Sequence, residues 1–229
     1  MCCSFNNGYK GYNFCYKLNN IAIQRVCFFK DLGVTVDQAL SFENHINMIC
    51  ATASQRAALI LKCFTSREPI LLVKAFITYV RPLLEYASCI WSPFKLKLID
   101  KIESVQRHFT KKLYGLYNFS YENRLKHLGI ESLELRRLKN DLIMYFKILH
   151  NLVNIDPKIF FSLCGNNITR GHPFKLVKPY CSNNSQLNNF NCRAINAWNH
   201  LDSEIVMCKS VFAFKAKLNL LNVSYFCKR

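Results

Sequence analysis

The chain is short of acid. Only 14 Asp and Glu stand against 31 Lys and Arg, for a net charge of +17. Such an imbalance excludes a cationic partner and points to a polyanion, either nucleic acid or an anionic surface. No run of about eighteen uncharged apolar residues occurs, so no membrane span is expected. There is no Asp-Asp pair and no Cys-x2–4-Cys pair anywhere in the 229 residues. The second absence removes the usual local zinc signature. No apolar signal-peptide segment follows Met1, so the 12 cysteines read as mostly buried, reduced thiols of an intracellular protein, nuclear or cytoplasmic, rather than as a disulfide framework.

What is present suffices for a folded protein. At 51% apolar composition the chain can bury a sizeable core as one large domain or two small ones. The expected class is mainly α, with β structure confined to the start. Phe14–Tyr16 and Ile21–Ile23 flank Asn19-Asn20, a pair suited to the positive φ angles of a two-residue hairpin turn, and Val26–Phe29 continues the strand composition. Lys30 to Asp37 gives a last strand in which Gly33 reads as a bulge or a close backbone approach.

Helices follow. Ser41 caps one over Glu43–Lys62 with Ile46, Ile49, Cys50, Ala53, Ala57, Ile60 and Leu61 as its buried side. His45 reads as a surface or capping residue rather than a ligand. Thr65-Ser66-Arg67-Glu68 has the form of a capping box for a helix through Leu71, Leu72, Ala75, Phe76 and Tyr79. Pro82 ends or kinks it near Arg81, and Pro93 stops the next segment. From there Leu98, Ile102, Val105, Phe109 and Leu113 recur at helical spacing, with Arg107, His108, Lys111 and Lys112 mostly off the stripe. Glu103 and Arg107 are expected to pair on its surface. Gly115 caps this helix, completing a three- or four-helix bundle.

Beyond a short loop, Tyr121 opens a small helix stopped by Gly129, and Ser132 caps a long one striped by Leu135, Leu138, Leu142, Tyr145 or Phe146, and Leu149. Arg137 and Asp141 stand at i,i+4 spacing. Asp156-Pro157 starts another turn of helix. Residues 164–191 shift to Asn, Ser, Gly and Pro and read as extended and loop structure. Phe190 to Asn199 reads as a helix with Phe190, Ala194, Ile195, Ala197 and Trp198 on its apolar side, Trp198 being core, and Ser210 caps a last one through Phe214 and Leu218. Past residue 142, eleven Lys or Arg face only Asp156, Asp202 and Glu204, a density suited to phosphate contact. Cys164, His172, Cys181, Cys192, His200 and Cys208 leave a weak case for zinc, because long gaps can converge in space.

Tyr79-Val-Arg-Pro-Leu-Leu-Glu-Tyr-Ala87, Trp91-Ser-Pro93 and Ile102-Glu-Ser-Val-Gln-Arg107 together resemble the region downstream of the polymerase core in reverse transcriptases of non-LTR retrotransposons, the jockey-like LINE group. The similarity extends from about Val26 to Leu218 and includes Leu133-Glu134, Arg136-Arg137, Asp141-Leu142, Tyr145, Thr169 to His172, Lys175-Leu176 and Lys178-Pro179. Asp202 departs from it, standing where relatives have proline. The resemblance implies three parts: a β remnant of the palm over 1–38 with a primer-grip-like segment, a helical thumb-like bundle over 39–119, and a basic helical, loop-rich C-terminal domain over 120–229. It implies that Lys30, Gly33, Arg107, Lys111, Lys112, Arg136, Arg137, Arg170, Lys175 and Lys178 contact nucleic acid. The expected partners are an RNA/DNA or DNA duplex held without sequence readout, and a full-length reverse transcriptase. The alternative is a helical scaffold whose charge is incidental.

The family's Mg²⁺ ions sit about 4 Å apart on aspartates of a paired motif. Here Asp31 and Asp37 are the only acids before residue 40, and neither lies in such a motif. The expectation is a chain that starts past the active site, with Met1 an accidental start in a truncated element, with no catalytic residue, metal or cofactor of its own. Purified chain given an RNA template, a DNA primer and Mg²⁺ should therefore show no template-dependent extension; incorporation in that assay would overturn the argument from the carboxylates.

Overall fold

The computed structural model describes residues 16–24, 26–165 and 171–228. The expected Phe14 and Cys15 part of the first strand lies outside the described residues. The fold is mainly α with short β-hairpins. The chain divides into two compact units: the described residues of Met1–Ala87 with Lys95–Arg124, and Ser88–Phe94 with those of Leu125–Arg229.

The first unit opens with β1 (Lys17–Leu18) and β2 (Ile21–Ala22), paired antiparallel around Asn19 and Asn20 at φ 49° and 63°. The Asn-Asn turn is thus the two-residue turn its side chains favour. β3 (Phe28–Asp31) and β4 (Val34–Asp37) form a second hairpin, with Asp31 opposite Val34. Leu32 (φ 44°) and Gly33 (φ 87°) make its turn. Gly33 is therefore a hairpin-turn residue and not a bulge.

Helix α1 (Glu43–Cys63) is introduced by Asp37. Its carboxylate accepts from the backbone N–H groups of Ala39, Ser41 and Phe42 and from the Ser41 hydroxyl, at 2.9–3.0 Å. Burial alone would raise the Asp37 carboxyl; these donors outweigh it and hold it below the usual carboxylate range. Ser41 does contribute, since its Oγ accepts from Glu43 N–H at 3.3 Å, but Asp37 is the organising group.

Helix α2 (Pro69–Tyr79) begins at a proline in its first turn after Glu68. Thr65 to Glu68 is therefore a lead-in and not a capping box. A proline pre-set for the first helical turn wins over the side-chain signal. The break before Pro82 falls at Val80, and α3 (Arg81–Glu85) follows. Ala87 then turns left-handed at φ 53°, a second break that no proline marks. α4 (Ser88–Trp91) belongs to the second unit, and α5 (Leu96–Lys111) returns to the first. The predicted stripe is buried: Leu98, Ile102, Val105, Phe109 and Leu113 are all at most 4% exposed. α1 packs along α5 and α3, and Phe76 of α2 stacks on Phe109 with ring centroids 4.6 Å apart. Gly115 has φ 76° but lies in the turn past Lys112, which caps the helix. α6 (Tyr121–Leu128), whose residues through Arg124 belong to this unit, is followed by Gly129 at φ 63°.

The second unit is built on α7 (Leu133–Leu149), whose N-cap Ser132 accepts from Leu135 N–H at 3.2 Å. Next come α8 (Pro157–Phe160), capped by Asp156, and the antiparallel pair β5 (Ser162–Leu163) and β6 (Leu176–Val177). The short helices α9 (Asn184–Leu187), α10 (Phe190–Arg193), α11 (Ile195–Asn199) and α12 (Ser203–Val206) lead to α13 (Val211–Leu220), which Ser210 caps as expected. The predicted single helix over Phe190 to Asn199 is thus two, divided at Ala194. Leu142, Tyr145, Phe146, Trp198 and Phe214 form the core. Phe146 stacks on Phe214 at 4.4 Å between centroids.

Arg193 fastens α10 to α7. Its Nε and Nη2 donate to the two Asp141 oxygens at 2.7 and 2.8 Å, and Nη2 also reaches Cys89 O at 2.9 Å. Asp141 thus takes Arg193 as its bidentate partner rather than pairing only with the Arg137 one turn before it. Burial pushes the Asp141 carboxyl up, and the guanidinium bonded to both oxygens opposes that shift. Breaking such a pair from one side strands a buried charge and costs about 3–5 kcal/mol, whereas replacing both partners with apolar groups is far cheaper. Arg193→Met should therefore lower the urea midpoint sharply, and adding Asp141→Leu should restore much of the loss. Both tryptophans, Trp91 and Trp198, lie in this unit, so tryptophan fluorescence reads it directly; equal loss in the single and double variants would contradict the assignment.

Candidate nucleic-acid interface

The flank of α5 beside its buried stripe carries Lys97, Lys101, Ser104, His108 and Lys111, at steps of four, three, four and three, with Lys112 at the C-cap. All except half-buried Ser104 are exposed. Lys97 to Lys111 covers about 21 Å at 1.5 Å per residue. Lys101 Nζ donates to Asn47 Oδ1 at 2.5 Å, which seats that ammonium beside α1. Among the described residues no carboxylate pairs with Lys97, Lys111 or Lys112. The cations at the last turn also suit the negative end of the helix dipole.

Arg107 sits at the edge of this arc. Its Nη2 is 4.0 Å from Asp100 Oδ1, and its guanidinium lies 5.1 Å from the centre of the Tyr121 ring. Glu103 is buried, not on the surface where it was expected. It accepts the Tyr121 hydroxyl proton, and Gln106 Nε2 donates to that same hydroxyl at 3.0 Å. Burial first, and Glu103 next, push the Tyr121 hydroxyl far up, so it stays a donor. Below this group Arg124, 4% exposed, donates from Nε to Thr110 Oγ1 at 3.2 Å and from Nη1 to Phe119 O at 2.7 Å. Arg124 thereby ties the end of α5 to the turn that follows.

Lys30 is exposed on β3 opposite Thr35, and Gly33 is at the hairpin tip beside Leu32, which is 83% exposed. The tip is held on one side by the Tyr86 hydroxyl, which donates to Leu32 O at 2.9 Å, and on the other by Thr35 N–H, which donates to His45 Nδ1 at 3.3 Å. His45 is 3% exposed, so the expected surface histidine is an interior acceptor. The β4 strand covers its helical turn, which no local pattern announces.

In the second unit the candidates are dispersed. Arg136 is half-buried, 3.9 Å from Glu131, and Arg137 is 2% exposed in the interior. The end of the Lys175 side chain lies against Gly171, and Lys178 is exposed beyond β6. Arg170 lies outside the described residues. No group of three His, Cys, Asp or Glu able to hold a metal occurs among the described residues. The nine described cysteines are free, but only Cys50 and Cys192 are fully buried. Burial raises Cys192 to about 11 and Cys89 to about 12.

No family model matches the sequence, and no solved structure matches it. A Caenorhabditis elegans protein described as uncharacterized protein B0403.1 is 30% identical over 122 residues, a stretch that is 52% of this chain and 62% of that protein. The chain thus spans less than two thirds of this relative's length.

The N-terminal hairpin should be acid-sensitive. Burial first, and Lys30 next, hold the His45 pKa below 6.5, so folding favours the neutral ring. That contribution is complete above about pH 6.5 and is lost as pH falls through that value toward the folded pKa. Amide protection factors in β4 and α1 should fall as pH drops through this window, and His45→Gln should remove that loss of protection. An unchanged pH profile in the variant would exclude His45 as the cause.

Proposed function

We propose that the chain binds duplex nucleic acid through its backbone phosphates, without reading sequence, as the thumb and C-terminal region of a jockey-like non-LTR reverse transcriptase. The observation that carries this reading is the cationic arc on α5. Four lysines and a histidine face outward over about 21 Å, and Lys97, Lys111 and Lys112 have no carboxylate to neutralise them among the described residues. A duplex presents one negative charge per ~1.7 Å of its axis, so an arc of this length finds several phosphates within reach. Phosphate contacts position a protein on a duplex but carry no sequence information.

The resemblance supplies the identity of the duplex, a template–primer hybrid, and the polymerase palm would come from a full-length reverse transcriptase. In that reading the hairpin tip at Leu32 and Gly33 approaches the primer strand. It offers backbone at a turn that Tyr86 and His45 hold in place. The free cysteines fit an intracellular site, nuclear or cytoplasmic. No described helix is long and apolar enough to cross a membrane.

Contact with three to five phosphates gives a slope of log K against log salt of about −3 to −4.5 on B-DNA, and non-specific affinity on the order of 10⁻⁴ to 10⁻⁶ M. Changing Lys111 and Lys112 together to Ala should flatten the slope by about two, and adding Lys97→Ala and Lys101→Ala should remove most of the rest. All four positions are exposed and Ala is a strong helix former, so the fold should hold. Fluorescence anisotropy over a salt series is the measurement. An unaltered slope in the fourfold variant would take α5 off the binding surface and leave the scaffold reading in its place.

A further inference from the structure

The cationic arc runs directly into an aromatic turn. Leu113 and Leu116 are 1% and 3% exposed and pin the backbone, while Tyr114, Tyr117 and Phe119 are 82%, 65% and 45% exposed. The turn is not loose. Leu116 N–H donates to Leu113 O at 3.1 Å, Phe119 N–H donates to Leu116 O at 3.2 Å, Gly115 supplies the positive φ, and the buried Arg124 guanidinium holds Phe119 O. Three rings are thus held out in water on a fixed backbone while the neighbouring leucines point in. A cluster of exposed rings on a folded chain marks a surface that a partner covers.

The surroundings say what would cover them. Residues 104–121 include Arg107, His108, Lys111 and Lys112 and not one Asp or Glu, so an occupant of the turn meets positive charge on the α5 side. The exposed groups are flat rings without aliphatic side chains beside them, because the two leucines of the turn are inside. A membrane-surface anchor mixes aliphatic and aromatic groups on its apolar face. Flat rings beside cations match a nucleic-acid strand instead, with bases stacking on the rings and phosphates lying toward the lysines.

We propose that the turn from Leu113 to Phe119 is a stacking platform for unpaired bases. The chain therefore prefers a duplex carrying a single-stranded overhang to a blunt one, with the duplex on the α5 arc and the unpaired strand on Tyr114, Tyr117 and Phe119. The inference rests on the duplex reading for where the unpaired strand comes from, but the platform holds single strands without it.

Three labelled probes test this by anisotropy at one salt concentration: a blunt duplex of about sixteen base pairs, the same duplex with an overhang of about six nucleotides, and a single strand of about twelve. In the wild-type protein the overhang should tighten binding about tenfold or more, since each stacked base contributes about 1–3 kcal/mol. Tyr114→Ala, Tyr117→Ala and Phe119→Ala combined should abolish that gain and leave blunt-duplex affinity alone, whereas Tyr114→Phe with Tyr117→Phe should keep it. In wild-type protein, photo-crosslinking of 5-iodouracil placed in the overhang should label the peptide bearing these rings, a readout that needs no variant to fold. Equal affinity for blunt and overhung duplexes, or labelling elsewhere, overturns the platform. Single-strand binding that the triple variant loses, with no binding of blunt duplex, supports the platform and sinks the duplex reading. Ring-dependent binding to phosphatidylserine vesicles without any overhang preference assigns the turn to membrane and overturns the proposal.

Discussion

The second unit depends on one buried ion pair. Arg193 bonds both oxygens of Asp141 and the carbonyl of Cys89, and so holds three segments distant in sequence: α4, α7 and α10. Neither charge could be buried alone, because an uncompensated ion inside a protein costs several kcal/mol. The pair therefore forms only when all three segments are in place. This is why Ser88–Phe94, in the middle of the first unit's sequence, belongs to the second unit. Ala87, at φ 53°, is where the chain leaves. A non-glycine residue in that conformation is costly, so the docking of α4 must outweigh it.

The first unit leaves α5 one open side by using up the others. Its apolar stripe packs inward, Phe109 lies on Phe76, and Glu103 and Gln106 are taken by the Tyr121 hydroxyl. Arg124 occupies the C-terminal end through Thr110 and the Phe119 carbonyl. Only the arc from Lys97 to Lys111 is left to water. The position of the charge thus follows from the packing around it, and its rigidity comes from α1 beneath.

Local signals were legible and distant partnerships were not. The stripe of α5, the Asn19-Asn20 turn, and the caps at Ser132, Asp156 and Ser210 each depend on residues within four positions of one another, and each is as the pattern predicts. The misreadings share a cause. Glu103 was placed on the surface because a helix turn shows Arg107 beside it, but Tyr121 lies eighteen residues on. His45 was read as exposed because nothing near it in sequence shows that β4 covers it. Asp37 went unremarked although it organises the start of α1, since its four donors belong to a loop with no periodicity. Lys97 and Lys101 are a different case: their i,i+4 spacing is local, but it is a weaker signal than the dense run at Lys111-Lys112.

Net charge is a poor guide to where a polyanion would sit, and the pairings show why. In the second unit Glu131 engages Arg136 and Lys139, Asp141 engages Arg193, and Glu204 engages Lys217, so these basic groups already have partners where they stand. On α5 the opposite holds. Lys97 and Lys101 stand at i,i+4 spacing, where like charges cost a helix about 0.2–0.5 kcal/mol. Salt relieves that repulsion only partly at these separations, since the Debye length at physiological ionic strength is about 8 Å. A strand of phosphates laid along the arc relieves it fully and releases its own counterions as it binds. The arc is thus a small cost to the free unit that only an anionic partner converts into binding energy. A surface of paired charges like that on α7 has no such gain to offer.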